Sequence, residues 1–235
     1  MVDLTQVLMG MVFTFPIFLF SLSVHEAAHA YTAAWGGDLT SAYQGRCTIN
    51  PLPHIDPIGT ILVPLAGSLT GIPLIGWAKP VPVNEMNFRR KGPYGVVVAL
   101  AGPFSNILLA LLSVAALQLL TLLQLQFDLP EEVMRVIRKF LTLMVLINLS
   151  LCFFNLIPLP PLDGSHVLWH FLVKHRPALW PYFDFVMRYS MLILLVLLWT
   201  GVLRAYSMHV TSPLFQSLMD FAYYPLDLFL TDANR

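Results

Sequence analysis

Apolar residues fall into runs too long for the core of a small soluble domain. Crossing a bilayer takes about 20 consecutive apolar residues, and segments of that kind occupy 7–35, 94–126, 138–158 and 185–203. A fifth apolar stretch, 57–78, is broken by Pro64 and Pro73 and by Gly67, Gly71 and Gly76. Lipid cannot satisfy the polar groups that such backbone frees, so it must lie against protein or line a wet cavity. The pattern predicts a short helix there, then irregular and partly re-entrant chain. The tail, 212–230, is apolar but interrupted by Asp220, Pro225 and Asp227, which predicts an interfacial amphipathic segment ahead of a sixth span. The fold class expected is an all-α polytopic membrane protein. It would have about five to six transmembrane segments and a short extended or re-entrant element after the first. A single domain is expected over 1–235, with its core at about 7–170 and a C-terminal span and tail at 185–235.

Composition supports the membrane setting independently. Apolar residues make up 57% of the 235 residues and charged ones only 11%, and the mean hydropathy is +0.72. A soluble chain of this size could not cover so much apolar surface. The thirteen basic and thirteen acidic residues cancel, which leaves no basic footprint for nucleic acid. Cys47 and Cys152 lie far apart in different kinds of segment and are expected to be free thiols. Residues 1–8 lack a positive n-region, so no cleavable signal peptide is expected. Lys79, Arg89, Arg90 and Lys91 form one basic cluster, and Lys174, Arg176 and Arg188 another. The positive-inside rule puts both in the cytoplasm and the N-terminus outside.

The first apolar run carries chemistry. Near its inner end stands HEAAH, with His25, Glu26 and His29 in a stretch otherwise almost free of charge. A four-residue step on a helix turns about 400°, so both imidazoles lie on one face and can grip one metal ion. Glu26 would stand beside that ion as a base. An ionisable side chain at mid-bilayer costs roughly 2.5–3.5 kcal/mol, which makes Glu26 a functional candidate by position alone. Two histidines do not hold a catalytic zinc, and a third protein ligand is needed. The strongest candidate is Asp163 in FFNLIPLPPLDGSH, where a proline-rich stretch ends a span and must turn at Asp163-Gly164. His54, among Pro51, Pro53 and Pro57, reads as part of an ordered loop, and His166 as solvated or merely near the site.

On these residues the sequence resembles the site-2 protease family of intramembrane metalloproteases, in particular its compact bacterial members without a PDZ domain. The resemblance rests on HEAAH, on N-x-x-P-x-x-P-L-D-G from Asn155 to Gly164, on AGPFSN from Ala101 to Asn106, and on NPLPHIDPIGT from Asn50 to Thr60 followed by GWAKPVPVN. It implies that His25, His29 and Asp163 ligate one zinc ion per chain and that Glu26 activates water. It further implies that Asn155 helps bind the scissile carbonyl or its oxyanion. The substrate implied is a transmembrane protein, cut within or near a membrane helix in the cell membrane, with the active site near the cytoplasmic side. Gly102, Pro103 and Asn106 read as helix packing. The extended stretch KPVPV, residues 79–83, suggests that Val81 and Val83 bind substrate by strand addition. Membrane lipid is the other expected partner, and oligomeric state is left open. The alternative function is a membrane metal-ion transporter or channel using the same cluster, although the outer halves of these helices offer no continuing polar pathway.

Overall fold

The computed structural model describes residues 4–70, 76–90, 93–127, 129–173 and 175–233. Among these the regular structure is helical. The α-helices are α1 (Leu4–Trp35), α2 (Thr40–Tyr43), α3 (Val63–Thr70), α4 (Pro93–Gln126), α5 (Glu131–Asn155), α6 (Asp163–Leu168), α7 (Trp180–Trp199) and α8 (Val202–Ala233). Four of them, α1 from Gly10 onward, α4, α5 and α7, are long and apolar enough to cross a membrane.

Helix α4 is the hub and packs on α1, α5, α6 and α8. Ala110, Val114 and Leu117 of α4 repeat at helical spacing, and their stripe closes against Val145 and Leu149 of α5 and Ala222 of α8. In a bilayer such a seam is held by close packing and buried polar pairs, because lipid is as apolar as leucine. The other faces remain apolar: Phe185, Leu192, Leu195 and Trp199 of α7 are exposed, as lipid-facing residues should be.

Residues 202–233 form one continuous helix through Pro213 and Pro225, packed on α4 and α5. Thr211 and Ala222 are buried, and Phe215, Leu218 and Met219 pack on the seam. Asp220 points out of it. The segment is a wall of the bundle, its apolar stripe keeping helical spacing past Pro213. The fifth apolar stretch is a π-helical turn over Pro57–Leu62 leading into α3. Its re-entrant continuation at 71–75 lies outside the described residues, and residues 76–84 are non-helical.

Loops after α1 set the height of that non-helical chain. Lys79 donates its N–H to His54 O at 2.8 Å and Arg89 donates to Gly36 O at 2.9 Å. Arg46, buried, gives its guanidinium to the Pro53 carbonyl. Asp38, fully buried, gathers Thr40 N and Oγ1, Asn84 N and Asn87 Nδ2. Burial alone would push the Asp38 carboxyl up, but the donors from Thr40, Asn84 and Asn87 outweigh it and hold the group below the usual carboxylate range. A depressed native value stabilises the fold fully above the group's ordinary pKa, and that contribution fades as pH falls through the native one. Replacing Asp38 with alanine should therefore cost about 2 kcal/mol near neutrality. The gap in melting temperature from the native chain should close as the medium is acidified below the ordinary carboxylate pKa, and a gap independent of pH would contradict this.

Candidate metal centre

HEAAH sits where α1 can be approached closely. Ala33, one turn beyond His29, is buried and its small side chain packs with Val98 of α4. On α4 the facing residue is Gly102. A Cβ there would lie 2.6 Å from His25 Nε2 and would overlap His29 Nε2, so only glycine leaves room for both rings. Pro103 follows it inside the helix. A proline cannot bond the carbonyl four residues back and bends the turn before it. Further back on α4, the Val98 carbonyl accepts from His29 Nδ1 at 2.7 Å.

His25 is oriented from the other side, by Asn106 of α4, whose Oδ1 lies 2.6 Å from His25 Nδ1. Both Nδ1 atoms thus face acceptors. With its proton held on Nδ1 by such an acceptor, each ring can offer Nε2 as a lone pair to a cation. The two Nε2 atoms are 3.1 Å apart.

Asp163 arrives by a turn. Asn155 ends α5, the chain reverses through 156–162, and Asp163 opens α6. The two residues, which the sequence pattern suggests share one span, stand on different helices. Gly164 packs against the end of α5, where a Cβ would lie 2.7 Å from Ile157 O and overlap the Leu156 carbonyl oxygen. This contact seats Asp163 over the histidines. Asp163 Oδ2 is 3.2 Å from His25 Nε2, and Oδ1 is 3.4 Å from His29 Nε2. One ligand atom from each of the three residues lies within 4.8 Å of the others.

The convergence has a physical consequence. Asp163 Oδ2 is buried and has no hydrogen-bond partner. Two imidazole lone pairs and a carboxylate face one another with their donors used elsewhere. A cation satisfies that arrangement and water alone does so poorly. Two nitrogen ligands and one oxygen ligand suit zinc, with a position to spare.

The remaining candidates are placed as follows. Glu26 flanks the cluster, and its Oε2 accepts from Val81 N–H at 3.0 Å. Val81 thus spends on Glu26 the amide that strand addition would use, while Val83 is 39% exposed. Asn155 donates Nδ2 to Leu151 O of its own helix at 2.9 Å and is not part of the three-residue group. His54 is buried and lies 2.9 Å, through Nε2, from Thr48 O, in keeping with a structural role. His166 is exposed, and Cys47 and Cys152 are both free. Sequence reasoning missed what Asn106 does, since a packing motif gives no sign of a partner 81 residues away.

Comparison with known proteins identifies the family. A family model described as "Peptidase family M50" matches residues 68–197, more than half of the chain, which include Gly102, Asn106, Asn155 and Asp163. The chain is 40% identical over 148 residues to a Bacillus subtilis protein named "Putative zinc metalloprotease YwhC", covering 63% of this chain and 64% of that one. It is 34% identical over 199 residues to the Mycobacterium tuberculosis protein named "Putative zinc metalloprotease Rip2", covering 84% and 70%. A Mycolicibacterium smegmatis protein of the same name is 34% identical over 188 residues, covering 79% and 66%. The match to the Bacillus protein thus spans slightly less than two thirds of that protein's length. No solved structure matches the chain. Matched over most of its length by metalloprotease relatives, and with histidines and aspartate gathered between apolar helices, the chain belongs to peptidase family M50, the site-2 protease group.

Proposed function

We propose that His25, His29 and Asp163 hold one zinc ion and that the chain is an intramembrane metalloprotease, hydrolysing peptide bonds within or near transmembrane helices of membrane-protein substrates. The observation that carries the proposal is the convergence of two Nε2 atoms and a partnerless buried carboxylate oxygen. Zinc bound there would supply a Lewis acid, which can lower the pKa of water from 15.7 to about 7 and polarise a carbonyl. Glu26 takes the proton of the attacking water and returns it to the leaving amine. The Val81 N–H bond holds its carboxylate in place between those two transfers. Asn155 keeps a second amide proton after bonding Leu151 O, and this proton is available to the scissile carbonyl oxygen as charge develops on it. Val83 and the carbonyls of 79–83 remain for pairing with an unwound substrate strand. A helical substrate hides its amides in its own hydrogen bonds, so helix-breaking residues in it favour cleavage.

The side of the membrane follows from charge. Lys79 and Arg89 are tied to His54 and Gly36, at the end of α1 that carries HEAAH. Basic loops stay in the cytoplasm, which supports a site near the cytoplasmic face. The transporter alternative is not favoured, because the chain belongs to a peptidase family and its ligands gather at one depth.

The test is metal removal. Purified chain in liposomes, stripped with a strong chelator, should lose cleavage of a co-reconstituted single-span substrate and recover it when about one equivalent of zinc is restored. Cleavage unaffected by stripping would overturn the proposal.

A further inference from the structure

Behind the metal centre lies a buried polar chain that the proposed chemistry does not use. It begins at Asn148 of α5, which is fully buried, as is its neighbour Asn106 of α4. The orientation of every amide in it can be deduced from one end. The Met144 carbonyl oxygen can only accept, so the Asn148 atom 2.9 Å from it must be Nδ2. The same nitrogen lies 2.9 Å from Ser21 Oγ of α1, which is also fully buried. Asn148 Oδ1 therefore points the other way, toward Asn106 at 2.9 Å, and the Asn106 atom facing it must be the donor Nδ2. That turns Asn106 Oδ1 toward His25 Nδ1. A carbonyl on the backbone of α5 thus decides, through two carboxamides, which His25 nitrogen carries the proton.

We propose that Asn148, held by Met144 O and Ser21, is a positioning residue of the metal centre. It keeps the Asn106 carboxamide from flipping and so presents the bare Nε2 of His25 to the metal. A flipped Asn106 would set an NH₂ group against Nδ1–H. The ring could relieve that clash only by moving its proton to Nε2, where it would block ligation, or by turning away. The two histidines are unequal in this respect. His29 is fixed directly by the Val98 carbonyl, which cannot flip, whereas His25 depends on side chains that can. The chain joins α1, α4 and α5 at one depth, so helix packing and ligand orientation are set by the same bonds. The inference rests on reading His25 as a metal ligand.

The test must separate orientation from simple packing. Full-length protein in detergent would be compared as the native chain, Asn148→Leu, Asn148→Asp and Leu149→Ala. The readouts are zinc affinity by chelator competition, the visible absorption of the cobalt-loaded protein, and melting temperature. Loss of an outer partner of a metal ligand typically weakens binding by about 10–100-fold. Asn148→Leu, one bond further out, should weaken zinc binding by about tenfold, at the low end of that range, and change the cobalt spectrum. Asn148→Asp keeps an oxygen facing Asn106 and, when neutral, a donor facing Met144 O and Ser21, so it should retain both affinity and spectrum. Leu149→Ala opens a void in the adjacent seam. It should lower the melting temperature while leaving zinc affinity and spectrum alone. If Asn148→Leu does not fold, Asn148→Ala takes its place and is judged against Leu149→Ala, which loses volume at the neighbouring position. Native-like zinc affinity and spectrum in the folded Asn148 variant would overturn the inference alone. Failure of the native chain to bind zinc would overturn the metal-site reading and the inference with it.

Discussion

Replacing Glu26 with glutamine is expected to slow peptide hydrolysis by about 10²–10⁴-fold, the range of a general base, at unchanged metal content. Glu26 is not one of the three converging residues, so the substitution leaves every proposed ligand in place. Its Oε2 accepts from Val81 N–H, and a glutamine Oε1 can accept the same bond. Shape and anchoring survive while the capacity to take a proton is lost. The comparison requires initial rates on one membrane substrate, with both proteins carrying equal zinc per chain. Cleavage within a few-fold of the native rate would remove Glu26 from the chemistry, and loss of zinc in the variant would recast it as a ligand.

Asp163→Ala should fail at an earlier stage. The site has two imidazoles and one carboxylate, and as metal ligands the imidazoles would be neutral and Asp163 the anionic member. Structural zinc sites yield roughly 10–16 kcal/mol from four ligands, or about 3 kcal/mol each, which is on the order of 10²-fold in affinity. The variant should lose metal on dialysis against a chelator that the native chain withstands. Metal analysis after dialysis decides the matter, and stoichiometric zinc in folded Asp163→Ala protein would show that another residue supplies the third ligand. Since the contact of Gly164 with Leu156 and Ile157 positions Asp163, a melting curve should accompany the assay to show that the α5–α6 turn has kept its packing.

How much of this could be read from the sequence depends on where the geometry comes from. His25 and His29 face one way because an α-helix fixes four-residue neighbours, whatever surrounds it. The long apolar spans were legible for a similar reason, since their length follows from bilayer thickness. Asp163 was harder. Aspartate before glycine is ordinary turn chemistry, and only its place in a longer pattern raised it above that. The interhelical partners were illegible in kind. Asn106 and His25 are 81 residues apart and Asn148 and Ser21 are 127 apart, and no local pattern encodes such pairs. Asn148 still left a trace, being an amide midway along an apolar span, which calls for a partner. The packing of the tail was not legible, because Asp220 and Pro225 interrupt its apolar run. In the structure Asp220 lies on the outer face while Thr211, Phe215, Leu218 and Ala222 keep a helical stripe against α4 and α5. The segment at 79–83 was legible as extended chain, but its direction was not. The prolines show which residues lack an N–H, whereas the use of Val81 N–H by Glu26 is visible only in three dimensions.

The most direct test of the account is the mass of the fragments released from a single-span substrate in liposomes, which locates the bond that is cut. Zinc-loaded native protein should give two products whose junction lies within or beside the membrane-embedded segment, and zinc-loaded Glu26→Gln protein should leave the substrate whole. A junction confined to the soluble tails, or the same products from the Glu26→Gln variant, would contradict intramembrane hydrolysis at this centre.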